Sequence, residues 1–245
     1  MLEVRGGNAT DTLFFGSQGV QGFTFFEITD ARIVDFYDEN STFKFPFDGV
    51  LGLSPAQHLS NASDSLPSGS KPLLQALKEQ GLISNATLSV SMSADSSSLT
   101  FGGYKESDLK NSTNAIRWFP AVGDSWQVEI NNILYSTVSI DDGQHNFAFF
   151  DSFYGGIHIP LEEFLLLARQ LQRTHNEIFC NTKADNSRCW FDGMCSAYRD
   201  TYANISFLIN GNQAFVISPA VYLKDYKNSS GQYQCQMLVV GNIIN

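Results

Sequence analysis

Short apolar runs, separated by clusters of Gly, Asn, Asp and Ser, recur along the chain and constrain its fold more than any other feature. Runs at residues 11–15, 22–28, 88–92, 98–101, 126–130 and 205–209 are rich in Phe, Val, Ile, Leu and Thr, the types that suit a pleated surface. Asn210-Gly211 directly follows the last of them, a strong hairpin signal because both residues accept positive φ. Two segments read instead as helices. Residues 71–80 carry Pro72 near the first turn, Leu73, Leu74 and Leu77 on one face, and Gly81 as a stop. After Pro160, Leu161, Phe164, Leu165, Ala168 and Leu171 recur at helical spacing through about His175. A Ser/Asn/Pro/Gly-rich loop over 59–70 precedes the first helix. The expected class is all-β with two helices whose apolar faces serve the core.

Composition narrows the function. Of 245 residues, 43% are hydrophobic and 13% aromatic, ample for one or two cores. The formal net charge of −10 leaves no Lys/Arg stripe to meet phosphates, which argues against nucleic acid and anionic membranes as partners. The same balance fits either work in an acidic compartment or ordinary solubility. No apolar run approaches the roughly 20 residues of a membrane span. Seven Asn-X-Ser/Thr sequons begin at Asn8, Asn40, Asn61, Asn85, Asn111, Asn204 and Asn228, none with Pro in the middle, which favours a glycosylated secretory or lumenal protein. Cys180, Cys189, Cys195 and Cys235 are even in number, and in such a chain that favours two disulfides. Three pairings are open, and spacing does not choose among them. A zinc site would need Cys-x-x-Cys or His at ligand spacing; neither is present, and His58, His145, His158 and His175 show no metal pattern. No cofactor or metal is expected. The first residues lack the basic start and apolar core of a signal peptide, so the natural N-terminus is expected to lie further upstream.

One acid stands out. Phe147-Ala148-Phe149-Phe150-Asp151-Ser152 sets a carboxylate at the end of an apolar strand, where burial would demand a hydrogen-bonding partner or a retained proton. Asp151 as a simple turn cap is the plainer alternative.

Motif order weighs on that choice. Phe47-Asp48-Gly49-Val50-Leu51-Gly52-Leu53, the helix over 72–80, Leu99-Thr100-Phe101-Gly102-Gly103, Trp126-Gln127-Val128, Phe149-Phe150-Asp151-Ser152, Ile157-His158-Ile159-Pro160, Leu208-Ile209-Asn210-Gly211 and Leu238-Val239-Val240-Gly241 follow one another. In that order they resemble the pepsin-like aspartic protease family, the pepsin and cathepsin D type, from roughly Asp11 to Ile243. The resemblance implies a bilobal all-β fold and peptide hydrolysis by two aspartates sharing one proton, one acting as base on a water and the other as acid. It places Asp151 at the second aspartate position, implies Cys195–Cys235 and Cys180–Cys189 as disulfides, and makes the two apolar-apolar-Gly elements turns. It implies a partial N-terminal lobe over 1–119, without catalytic loop and flap, and a C-terminal lobe over 120–245 without its last strands. No first catalytic aspartate is found: Asp11-Thr12-Leu13 lacks the Gly and aligns with a later strand. The second motif departs from the family's Asp-Thr/Ser-Gly, with Ser152, Phe153 and Tyr154 following Asp151; Phe153 puts a side chain where the Gly lets amides approach. The expectation is therefore a family member inactive alone, truncated at both ends, of lysosome- or vacuole-like or secreted location. Its partners would be a peptide or protein substrate or ligand; a third reading adds a second chain that completes the N-terminal lobe. The alternative is a pseudoprotease that binds without cutting.

Overall fold

The computed structural model describes residues 2–33, 48–54, 71–92, 96–109, 116–123, 125–144, 146–151, 155–182, 186–211, 213–228 and 230–243. Strands dominate, as the pattern of short apolar runs predicts. The chain divides into two compact units, Met1–Trp118 with Gly123–Ser125, and Phe119–Val122 with Trp126–Asn245.

The first unit opens with a long hairpin, β1 (Leu2–Phe15) and β2 (Gln18–Ile33), turned by Gly16 at φ 60° and Ser17. Both strands outrun the predicted segments, because polar residues such as Asn8, Thr10 and Gln18 extend the ladder without an apolar signal. Helix α1 (Leu73–Glu79) follows, then the antiparallel pair β3 (Leu88–Met92) and β4 (Ser97–Phe101). Val20, Leu73, Ala76 and Leu77 form the buried core of this unit, with Leu13, Phe15, Phe23 and Phe101 packed around it. The Gln80 side chain clamps the hairpin: its Nε2 donates to Gln21 O at 2.8 Å and its Oε1 accepts from Gln21 N at 2.9 Å. Lys71 pairs with Glu79 across the helix, and this hydrogen bond holds the Glu79 carboxyl below its usual range. Gly81 ends α1 at φ 71°, the left-handed conformation that its lack of a Cβ allows.

The second unit runs β5 (Gln127–Tyr135), β6 (Val138–Ser139), β7 (Phe147–Phe149), β8 (Ile157–Pro160), α2 (Leu161–Thr174), β9 (Phe179–Asn181), β10 (Ser187–Asp192), β11 (Ile205–Ile209), β12 (Gln213–Ile217), α3 (Pro219–Tyr222), β13 (Leu223–Lys227) and β14 (Tyr233–Asn242). One sheet has the order β13-β14-β10-β9, with β8 added parallel to β14. The other has the order β12-β11-β5-β6, with β7 pairing with β5. Asn210 and Gly211 both take positive φ, 45° and 90°, in the connection between β11 and β12.

Helix α2 buries Phe164, Leu167, Ala168 and Leu171. Leu161 and Leu165, predicted for that face, are half-buried, and Leu167 takes the inner position. Side chains of this size stabilise by about 1.5–3 kcal/mol each on full burial. The helix lies close against β14, for a Cβ on Gly241 would fall 2.6 Å from Phe164 Cγ. Leu238-Val239-Val240-Gly241, expected as a turn, is instead strand: Val239 pairs with Ile157, Val240 with His158 and Gly241 with Ile159. Two consecutive β-branched residues favour the extended form, and Gly241 supplies room for the helix rather than a bend. Two disulfides close this unit, Cys180–Cys189 across β9 and β10, and Cys195–Cys235 across a separation of 40 residues.

Candidate active site

Asp151 stands two residues beyond the pairing of β7 with β5. Gln127 is opposite Phe149 and Val128 opposite Ala148, and Phe150 N donates to Trp126 O at 2.8 Å, carrying the ladder to the residue before the acid. Asp151 is exposed. The sequence suggested a carboxylate leaving a buried strand, but β7 is itself open, with Phe147 at 48% and Phe149 at 65% exposure. No burial cost therefore falls on the acid. Aromatic surface surrounds it along the chain: Phe150 is 56% and Trp126 38% exposed. Ser152, Phe153 and Tyr154 lie outside the described residues.

The far side of this loop is fixed to the other sheet. Gly156 takes φ 98°, and a Cβ there would fall 2.6 Å from Leu238 O, so only Gly fits. His158 Nδ1 lies 2.7 Å from Asn242 Nδ2, and His158 Nε2 lies 3.3 Å from Gly155 O. This set binds the end of the loop to β14, and no local pattern signals it, since His158 and Asn242 are 84 positions apart. The loop carrying Asp151 is thus held at its entry by β5 and at its exit by β14.

Asp151 thus follows β7, and Gly155 and Gly156 precede β8. A family model for eukaryotic aspartyl proteases matches residues 2–243. The chain belongs to the eukaryotic aspartyl protease family. This aspartyl protease chain accordingly has an all-β, pepsin-like fold, and its family is one of peptide-cleaving enzymes acting on peptide substrates. Its two disulfides fit an extracellular or lumenal protein, since such bonds persist in oxidising compartments. No helix among the described residues is long and apolar enough to cross a membrane.

Other predicted positions are distributed over the aspartyl protease chain. Asn8, Asn85, Asn204 and Asn228 are exposed, whereas Asn40, Asn61 and Asn111 lie outside the described residues. Asn228 Oδ1 accepts from Ser230 N at 3.1 Å, Ser230 Oγ at 2.7 Å and Gln232 N at 2.9 Å, which folds its sequon into a tight turn. One grouping escaped the sequence reading, which sought metal ligands among His and Cys. Carboxylate oxygens of Asp141, Asp142 and Glu163 lie within 4.8 Å of one another, an oxygen set that would suit a hard cation. The first two already accept backbone amides, from Gly143 at 2.7 Å and Gln144 at 2.8 Å. Glu163 sits in the first turn of α2, where the helix dipole favours a carboxylate.

Proposed function

We propose that this chain carries the second-aspartate half of a paired-aspartate endopeptidase site, with Asp151 as the acid, and that residues 1–245 alone do not hydrolyse peptides. The observation that carries the reading is the family match across residues 2–243, which spans the Asp151 loop. The chemistry needs two carboxylates facing one proton: one takes a proton from water as the other donates one to the scissile carbonyl. No Asp-Thr-Gly or Asp-Ser-Gly occurs within the 245 residues, so Asp151 is the single position offered here. Residues 1–119 and 120–245 are read as portions of two lobes, and the first acid comes from other residues of the whole protein or from a second chain. The sequons and the disulfides support a secreted or lysosome-like, glycosylated product.

The changed motif favours a second reading. Phe153 and Tyr154 replace the Gly and hydroxyl residue expected after Asp-Ser, and such a loop suits a pseudoprotease that holds peptides without cutting them. The two readings part in the protein as its source makes it. The first expects acid-pH peptide cleavage that pepstatin stops and that Asp151→Asn lowers by at least about 10³-fold. Cleavage unchanged by Asp151→Asn would remove Asp151 from the role. Peptide binding without any cleavage by the wild type would establish the second reading.

A further inference from the structure

The hairpin of β1 and β2 has two unlike faces. Opposed residues of an antiparallel pair share a face, and faces alternate along each strand. Asn8 is opposite Phe26, Gly6 opposite Ile28, and Thr10 opposite Thr24, so these six residues share one side. The Thr10 and Thr24 hydroxyls, 3.2 Å apart, mark that side directly. The other side carries Phe23, which packs against the core with α1. On the outer side Phe26 is 51% and Ile28 49% exposed. Phe26 leans towards Gly6, where a Cβ would lie 3.0 Å from its Cε1. An apolar strip on a strand surface, with an exposed sequon Asn opposite Phe26 in the ladder, needs a cover of amphipathic chemistry.

We propose that Asn8 carries an N-linked glycan whose first N-acetylglucosamine packs on Phe26 and covers the Phe26–Ile28 strip. The inference rests on the secretory reading above. The sugar donor is a lipid-diphosphate-linked oligosaccharide. Asn8 Nδ2 forms a bond to C1 of the first sugar, the C1–O bond to the diphosphate breaks, and Nδ2 gives up one proton as the lipid diphosphate leaves. Asn8-Ala9-Thr10 is the acceptor triplet. Opposed Cβ atoms sit about 5 Å apart, so the first sugar rises beside the ring with its C–H face against the ring, and its hydroxyls and acetamido group face water. The glycan thereby turns an aggregation-prone strand surface into a solvated one.

The test uses the full chain secreted from a eukaryotic host. Glycopeptide mass spectrometry is expected to find the glycan on Asn8. Thr10→Ala, which destroys the sequon and leaves Asn8, should raise binding of an apolar fluorescent dye about two-fold over Thr10→Ser, which keeps the sequon. On the folded wild type, trimming every glycan to a single N-acetylglucosamine should leave dye binding unchanged, and complete removal should raise it. This second measurement stands if Thr10→Ala fails to fold. Modification at Asn85, Asn204 or Asn228 with Asn8 bare would overturn this inference alone. No modification at any sequon would overturn the secretory reading and this inference with it. A glycan on Asn8 whose complete removal leaves dye binding unchanged would overturn the covering role.

Discussion

Individual side chains in the second unit show how polar groups are spent inside a small core. Ala203 has both backbone groups held by tyrosine hydroxyls: Tyr222 donates to its carbonyl at 2.6 Å, and Tyr135 accepts from its amide at 3.2 Å. Tyr222→Phe leaves that carbonyl without the donor and is expected to cost about 1–2 kcal/mol in denaturant unfolding. Burial pushes the phenols of Tyr135, Tyr202 and Tyr222 above their ordinary range, and the charge of Glu177 adds to the rise at Tyr202. A raised folded-state value means that the native protein holds these protons more tightly than the unfolded chain. Their contribution is complete below the ordinary tyrosine value of about 10 and is lost as pH climbs beyond it. Ultraviolet titration should therefore show phenolate forming at Tyr202 and Tyr222 only together with alkaline unfolding. Smooth ionisation of all nine tyrosines in the folded state would contradict this. None of these contacts was legible in the sequence, because each joins residues 19 to 68 positions apart. The place of Asp151 at the end of an apolar strand was legible; its exposure was not, since an apolar run alone does not reveal that β7 lies open on its outer residues.

At the scale of elements, the packing of α2 on β14 sets the tightest constraint. Gly241→Ala would drive a methyl to 2.6 Å from Phe164 Cγ, where the helix and the strand must part or the ring must turn. A loss of about 1–3 kcal/mol is expected, read as a shift in the unfolding midpoint at unchanged slope. The disulfides differ in reach. Opening Cys195–Cys235, which spans 40 residues, should cost about 4 kcal/mol, and opening Cys180–Cys189, which spans 9, about 3 kcal/mol on the chain-entropy account. Equal or reversed costs in the two double-alanine variants would count against that account. Here the sequence spoke clearly for the strand over 205–209, the hairpin after it and both helices. It misled at 238–241, where a Gly after apolar residues looked like a turn. In the structure the Gly stands in a strand because of what lies above it, information that no local window holds.

The whole molecule comprises two units with unequal cores. Among the described residues, the first unit's buried cluster is Val20, Leu73, Ala76 and Leu77, whereas the second gathers both sheets, α2 and two disulfides around one larger cluster. Calorimetry should resolve two transitions, with the first unit melting at the lower temperature; a single transition would show that the two are bound into one cooperative block. Family membership was legible because it rests on the order of many short motifs along the chain, and the family match spans residues 2–243. The proposed site was not, because a single acid followed by Ser152, Phe153 and Tyr154 does not by itself identify a paired-carboxylate centre. The most direct measurement is a cleavage assay on the purified 245-residue chain, disulfides intact, with a mixed peptide pool at acidic pH, with and without pepstatin and alongside Asp151→Asn. The account predicts no pepstatin-sensitive cleavage from either protein. Cleavage by the wild type that pepstatin blocks and Asp151→Asn abolishes would contradict it, and would mean that a second acid within these residues completes the site.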